Sequence, residues 1–207
     1  MSEHTRPEPP FAAIDADAGP ASTASARLAW IAHRLRQTSM RITQAQSVAE
    51  LRPAALQADA LIASLQGHGF DIELTMDLVS ELGDQLLARL WCLLAPKDLV
   101  DNSCLLVMGS EGRGEQTLKT DQDNGLLLRD GTACDALPEI AASFTAALRD
   151  LGYPLCPGGI MLSNDRWRQR TTEFRETIRQ WCYGPDPEGV MQLAILLDAR
   201  AVAGDVR

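Results

Sequence analysis

The feature that most constrains this chain is a sixteen-residue segment, GSEGRGEQTLKTDQDN at positions 109–124, held between two short apolar runs. Cys104, Leu105, Leu106, Val107 and Met108 precede it. Gly125, Leu126, Leu127 and Leu128 follow it, closed by the turn pair Asp130-Gly131. Continuous apolar runs of this length with turn signals at their ends predict buried strands, so the segment begins where one strand stops and ends where the next starts. Gly109, Gly112 and Gly114 let the backbone approach a ligand closely and turn N–H groups towards it. Ser110 adds a hydroxyl, and Arg113 a planar cation suited to phosphate oxygens. Asp121 and Asp123 lie two residues apart at a strand entrance. Side chains at i and i+2 of an extended chain share a face, so both carboxylates can converge on one hard cation. Mg2+ is held in this sparse way, by one or two carboxylates plus substrate phosphates. The order G-x-x-G-x-G is neither the dinucleotide fingerprint nor a Walker loop, and no G-x-S-x-G elbow is present.

The rest of the chain arranges itself around that segment. Residues 1–24 hold Pro7, Pro9, Pro10 and Pro20 without apolar periodicity and are expected to form a disordered tail. Residues 25–98 are expected to be helical. Leu28, Ile31, Leu35 and Ile42 mark a first helix, which Pro53 separates from a second carrying Leu56, Ile62 and Leu65 and ending at Gly67 and Gly69. A third runs from about 72 to 94, with a stripe of Ile72, Met76, Val79, Leu86, Leu90 and Leu93. Residues 99–207 alternate: the two strands, a helix at about 137–151, a third strand within 153–162, and helices at about 171–183 and 187–203. The prolines and the Gly158-Gly159 pair must bend that third strand or confine it to an edge. The fold class is therefore α+β, a small mixed sheet with flanking helices behind an N-terminal helical region.

Charge and cysteine usage remove several functions. With 19 basic and 28 acidic residues the net charge is −9, so the chain should repel phosphate backbones and is not a non-specific nucleic-acid binder. The most apolar run, at 86–95, is short and interrupted by Arg89, which excludes a membrane span there. Five widely spaced cysteines without a C-x-x-C pair argue against a disulfide framework or a zinc ribbon and point to a cytoplasmic setting. Cys156 is expected to be a small buried hydrophobe. Trp167 and Trp181 are expected in a core or an interface.

Gly109-Ser110, a ten-residue spacer and Asp121-x-Asp123 resemble the signature of the polymerase-β-like nucleotidyltransferase superfamily. More narrowly, the whole 109–124 segment is similar to the nucleotidyltransferase domain family related to the bacterial protein-PII uridylyltransferase. The likeness extends to Cys156-Pro157-Gly158-Gly159-x-Met161 with Trp167-Arg168, and to Asp198-x-Arg200 with Gly204-Asp205. The resemblance implies a polymerase-β-like core at 99–207 and Mg2+-dependent transfer of a nucleoside monophosphate from a nucleoside triphosphate. The acceptor would be a protein in a signalling circuit. By the same resemblance Asp121 and Asp123 bind the metal, Gly109 and Ser110 hold the triphosphate, and Arg113 and Arg168 join the nucleotide site. The superfamily usually places apolar residues where this chain has Gln122 and Asn124, and the narrower family shares the polar pair. A third carboxylate normally sits on a neighbouring strand. Residues 153–162 contain none; Asp165 lies just beyond them, and Asp198, in the D-x-R motif, is the catalytic candidate, with pairing to Arg200 or a neighbouring cation as its other reading. The alternative is a nucleotide-sensing regulatory module without turnover. Relatives continue past the Gly204-Asp205 motif into a further helical bundle, so the expectation is either that a helical partner or a second copy, in a homo-oligomer, takes its place or that the chain is a truncated product whose last helices expose apolar faces.

Overall fold

A computed structural model describes residues 24–184 and 187–205. The tail expected at 1–24 falls outside them, apart from Ala24 at the start of the first helix. The chain divides into two units, Met1–Arg36 and Gln37–Arg207. Helix α1 (Ala24–Gln44) begins in the first unit and ends in the second. Within the first unit, the Arg34 guanidinium carbon lies 5.9 Å from the centre of the Trp30 ring.

The second unit carries the remaining elements. Helix α2 (Val48–Gly67) starts earlier than Pro53 would allow if proline marked a break. Ser47 caps it by accepting from the Glu50 N–H, and the Glu50 carboxylate accepts from the Gln46 N–H. That exchange satisfies two donors at the helix start, and Pro53 is carried inside the helix. Helix α3 (Ile72–Leu94) has the expected bounds, set by Asp71 accepting from the Glu73 and Leu74 amides and by Pro96 beyond its end. Its buried stripe is Leu78, Val79, Leu82, Leu86, Leu87, Leu90 and Trp91, rotated from the expected one, and Ile72 is exposed. A short helix, α4 (Lys97–Asp101), leads into the sheet.

Strands β1 (Ser103–Val107) and β2 (Asn124–Leu128) are those the apolar runs predict, paired antiparallel with Val107 opposite Asn124. The bend between them includes a single helical turn, α5 (Gly109–Gly112). Helix α6 (Leu137–Asp150) buries Phe144, which meets Trp91 edge-on at 5.8 Å. After it the structure departs from expectation. Residues 153–162 form no strand; the third strand is β3 (Arg168–Arg170), parallel to β2. Helices α7 (Thr171–Tyr183) and α8 (Pro187–Leu197) follow. The last helix stops before Asp198, and Arg200–Gly204 forms β4 instead of continuing to 203. The sheet order is β3-β2-β1-β4, with β4 antiparallel to β1 and a register shift between Leu105 and Leu106. This mixed four-stranded sheet with helices confirms the α+β class. Met108, Cys156, Ile160, Trp167, Phe174 and Trp181 form one apolar cluster, with Trp167 and Trp181 rings 5.4 Å apart. No helix among the described residues is long and apolar enough to cross a membrane.

Candidate active site

Pairing of β1 with β2 brings the two ends of the glycine-rich segment together. The Met108 N–H donates to the Asp123 carbonyl at 2.9 Å, one step beyond the strands, so the bend starts beside the aspartates. Gly109 turns the chain with φ +57°, a left-handed conformation that a side chain resists. A Cβ there would lie 2.7 Å from Asp123 Oδ2 and would press on that carboxylate. At Gly112 a Cβ would overlap the carbonyl of Asp198. Ser110 lies in the same turn, its Oγ 3.5 Å from Gln116 Nε2.

The rest of the segment is pinned to the helical frame. Gln66 Nε2 donates to the Thr117 carbonyl at 2.8 Å. Lys119 Nζ donates to Asp59 and to the Leu151 carbonyl, and lies 5.2 Å from the centre of the Tyr153 ring. Asp121 and Asp123 follow Thr120 with their carboxylates on the same side. A ligand oxygen from each and Sγ of Cys156 all lie within 4.8 Å of one another. Burial, and next the nearby Asp121 charge, push the Asp123 carboxyl above its ordinary range, against the thiol hydrogen bond from Cys156. Asp123 Oδ1 is buried and accepts no hydrogen bond.

Gln122 and Asn124 point the other way and explain how Cys156 arrives. Gln122 Nε2 donates to the Thr145 and Tyr153 carbonyls at 3.1 Å each, and its N–H to the Pro154 carbonyl. The Asn124 N–H donates to the Ile160 carbonyl, and Asn124 Oδ1 accepts from the Leu162 N–H at 2.9 Å. Two prolines and Gly159 at φ +67° prevent residues 153–162 from forming a ladder. These two side chains hold the irregular segment where a strand was expected. Buried backbone groups that would otherwise lack partners are thereby satisfied.

Asp198, Arg113 and Arg168 have partners outside the Asp121–Asp123–Cys156 group. Asp198 accepts from Arg113 Nη1 at 2.5 Å, and Arg113 also reaches Glu115 at 2.8 Å. Arg168 is nearly enclosed: its guanidinium donates to the Leu162 carbonyl at 2.5 Å and pairs with Asp165. Behind the bend, Arg200 pairs with Asp84 and donates to Ser80 Oγ and the Glu111 carbonyl. Glu111 is buried there, its carboxyl pushed up to about 7 by burial and by Asp84, with Arg200 opposing.

Cys156 is buried in the apolar cluster, as expected of a small buried hydrophobe, and its thiol also faces Asp123. Its spacing from Asp123 carries no signal, because α6 intervenes. The sequence cue was the run Cys156-Pro157-Gly158-Gly159, a turn that can aim backbone amides at the sulfur. The amides of Ile160 and Gly158 do hydrogen-bond to Sγ.

The two carboxylates fit a divalent ion. Their donors are hard oxygens, one oxygen is buried without a partner, and neither residue forms an ion pair among the described residues. Comparison with known proteins agrees in kind: residues 56–188, well over half of the chain, match the model of the family described as Putative nucleotidyltransferase DUF294. No curated protein matches the chain.

Proposed function

Because the chain belongs to the DUF294 nucleotidyltransferase family, we propose that it transfers a nucleoside monophosphate from a nucleoside triphosphate to an acceptor, using a divalent cation held by Asp121 and Asp123. The observation that carries this reading is the convergence of both carboxylates beside the Gly109 bend, with Asp123 Oδ1 buried and unpartnered. When bound, the cation held by Asp121 and Asp123 would supply positive charge that offsets the charge developing as pyrophosphate leaves.

The chain's own residues would do the rest by position. Amides at the first turn of α5 have no intrahelical acceptor, and those of Gly109 and Ser110 would hold triphosphate oxygens. Arg113, exposed and steadied by Asp198 and Glu115, would supply the cation at the edge of the nucleotide. Asp198 would serve by holding Arg113, and Arg168 by fixing the Leu162 carbonyl at the end of the irregular segment that carries Cys156. Residues 99–207 would carry the transfer chemistry, with α2 and α3 as their support through Asp59, Gln66 and Asp84. A protein acceptor in a signalling circuit, uridylylated or adenylylated, and Mg2+ as the ion follow from the resemblance of the 109–124 segment.

The test is incubation of the purified chain with each α-labelled nucleoside triphosphate, a divalent cation and cell lysate. Cation-dependent labelling of a protein and pyrophosphate release, both lost in Asp121→Asn and Asp123→Asn, are expected. The reading fails if neither appears and neither variant changes nucleotide or metal binding. One observation favours a second reading, nucleotide sensing without turnover: the third member of the acidic group is a thiol, so no third carboxylate stands there to accept the acceptor's proton. That reading expects nucleotide binding without pyrophosphate.

A further inference from the structure

We propose that Cys156 is the third protein ligand of the ion held by Asp121 and Asp123, and that its sulfur makes the site prefer a zinc-class cation to Mg2+. The inference rests on the reading of the two aspartates as metal ligands and changes only which ion they hold and with what help.

Three observations carry it. First, the three atoms are close enough to face one ion. An ion bound in a tetrahedral set at about 2.0 Å to oxygen and about 2.3 Å to sulfur draws its ligand atoms to roughly 3.3–3.5 Å from one another. The three atoms lie within 4.8 Å of one another without the ion. Second, the sulfur is prepared on its far side. The amides of Ile160 and Gly158 hydrogen-bond to Sγ, and a Cβ at Gly158 would lie 3.6 Å from it. Amide bonds of that kind persist when the thiol proton is replaced by a metal ion, and they orient a ligand as outer partners do in metal sites. The displaced proton leaves to the buffer. Third, the thiol faces Asp123, whose Oδ1 is buried without a hydrogen bond, while Cys156 itself is backed by the apolar cluster of Met108, Ile160 and Trp167. Two carboxylates and one thiolate leave a coordination position for a phosphate oxygen, as catalytic zinc sites with three protein ligands do. Sulfur ligation disfavours Mg2+, which seeks oxygen donors only.

The test uses the full chain, stripped with chelator, and titrates Co2+ and Cd2+ as spectroscopic probes, then Zn2+ against Mg2+ by calorimetry. A sulfur-to-metal charge-transfer band is expected in the unaltered chain and absent in both Cys156→Ser and Asp121→Asn. Loss in the second variant separates this sulfur from the other four cysteines. Cys156→Ser should weaken Zn2+ by more than about a hundredfold, beyond the roughly ten- to hundredfold that loss of an outer partner costs, and leave Mg2+ within about twofold. Cys156→Asp should strengthen Mg2+. Unchanged unfolding midpoints for Cys156→Ser keep the comparison free of misfolding. The inference is overturned if ions bind without the band, or if Cys156→Ser binds every ion like the unaltered chain. If no divalent ion binds at all, the metal role of the two aspartates falls instead.

Discussion

Gly109 passes so close to the Asp123 carboxylate that a methyl group in place of its hydrogen would lie 2.7 Å from Oδ2. Its φ of +57° adds a second demand for glycine, worth about 1–2 kcal/mol against any L side chain. Gly109→Ala should therefore lower the unfolding midpoint by roughly 2–8 °C in calorimetry. It should also displace Asp123, so that divalent-ion affinity measured by titration falls along with stability. Retained affinity in Gly109→Ala would show that the bend and the carboxylate do not depend on each other.

Gln122 and Asn124 are predicted to determine whether the irregular segment stays docked. Gln122→Leu removes both donors to the Thr145 and Tyr153 carbonyls from a fully buried position. Buried carbonyls left unpaired cost about 1–3 kcal/mol, to be read from urea unfolding. Asn124→Leu strands the Leu162 N–H, whereas Asn124→Asp keeps an acceptor there. Thiol modification of Cys156 should speed up in both Leu variants and less in Asn124→Asp. Equal rates in all four proteins would mean that the segment is held by other contacts.

The parts of this fold that were legible in advance are those where one local rule acts alone. The apolar runs that became β1 and β2, and the capped α3, follow from periodicity and end signals. Pro53 predicts a helix boundary, but the capping pair Ser47 and Glu50 starts the helix five residues earlier, and Pro53 is carried inside it. The apolar content of 153–162 predicts a third strand there, yet β3 is Arg168-Gln169-Arg170. An edge strand joined in parallel by backbone bonds needs no apolar pattern. Ala201, Val202 and Ala203 suited a helix as well as a strand, and pairing with β1 decided for β4. At the site, the convergence of Asp121 with Asp123 was readable from their spacing. Cys156 was not, because only tertiary pairing through Gln122 and Asn124 brings residue 156 to residue 123.

Glu111 makes a prediction about pH. Its carboxyl titrates near 7 in the fold against 4.5 ordinarily. Between those values the folded chain binds more protons than the unfolded one, so stability falls as pH rises from about 4.5 to about 7. Above that window the full cost, at most roughly 3 kcal/mol, is present. Asp84 and Asp123 add to it, and Arg200 opposes it. Glu111→Gln should remove this dependence: relative to the unaltered chain it gains stability at pH 8 and little at pH 4. Parallel stability profiles for the two proteins would refute a buried, raised carboxyl.

Arg200 ties β4 to α3 and to the back of the glycine bend through Asp84, Ser80 Oγ at 3.1 Å and the Glu111 carbonyl at 3.2 Å. The pair with Asp84 is about one-third exposed, so its Coulomb attraction alone is modest. The larger loss comes from several charge-assisted hydrogen bonds that one planar fork makes at once. Arg200→Ala should cost about 2–3 kcal/mol in urea unfolding. Arg200→Lys should recover less than half of it, since an ammonium cannot reproduce the fork. In a double-mutant cycle with Asp84→Asn, a coupling of at least about 0.5 kcal/mol is expected. Removing Arg200 also removes the charge that lowers the Glu111 carboxyl, so the stability loss on raising pH should continue to higher pH and grow in total in Arg200→Ala. An Arg200→Ala profile whose loss ends at the same pH as in the unaltered chain would show that the two groups do not sense each other.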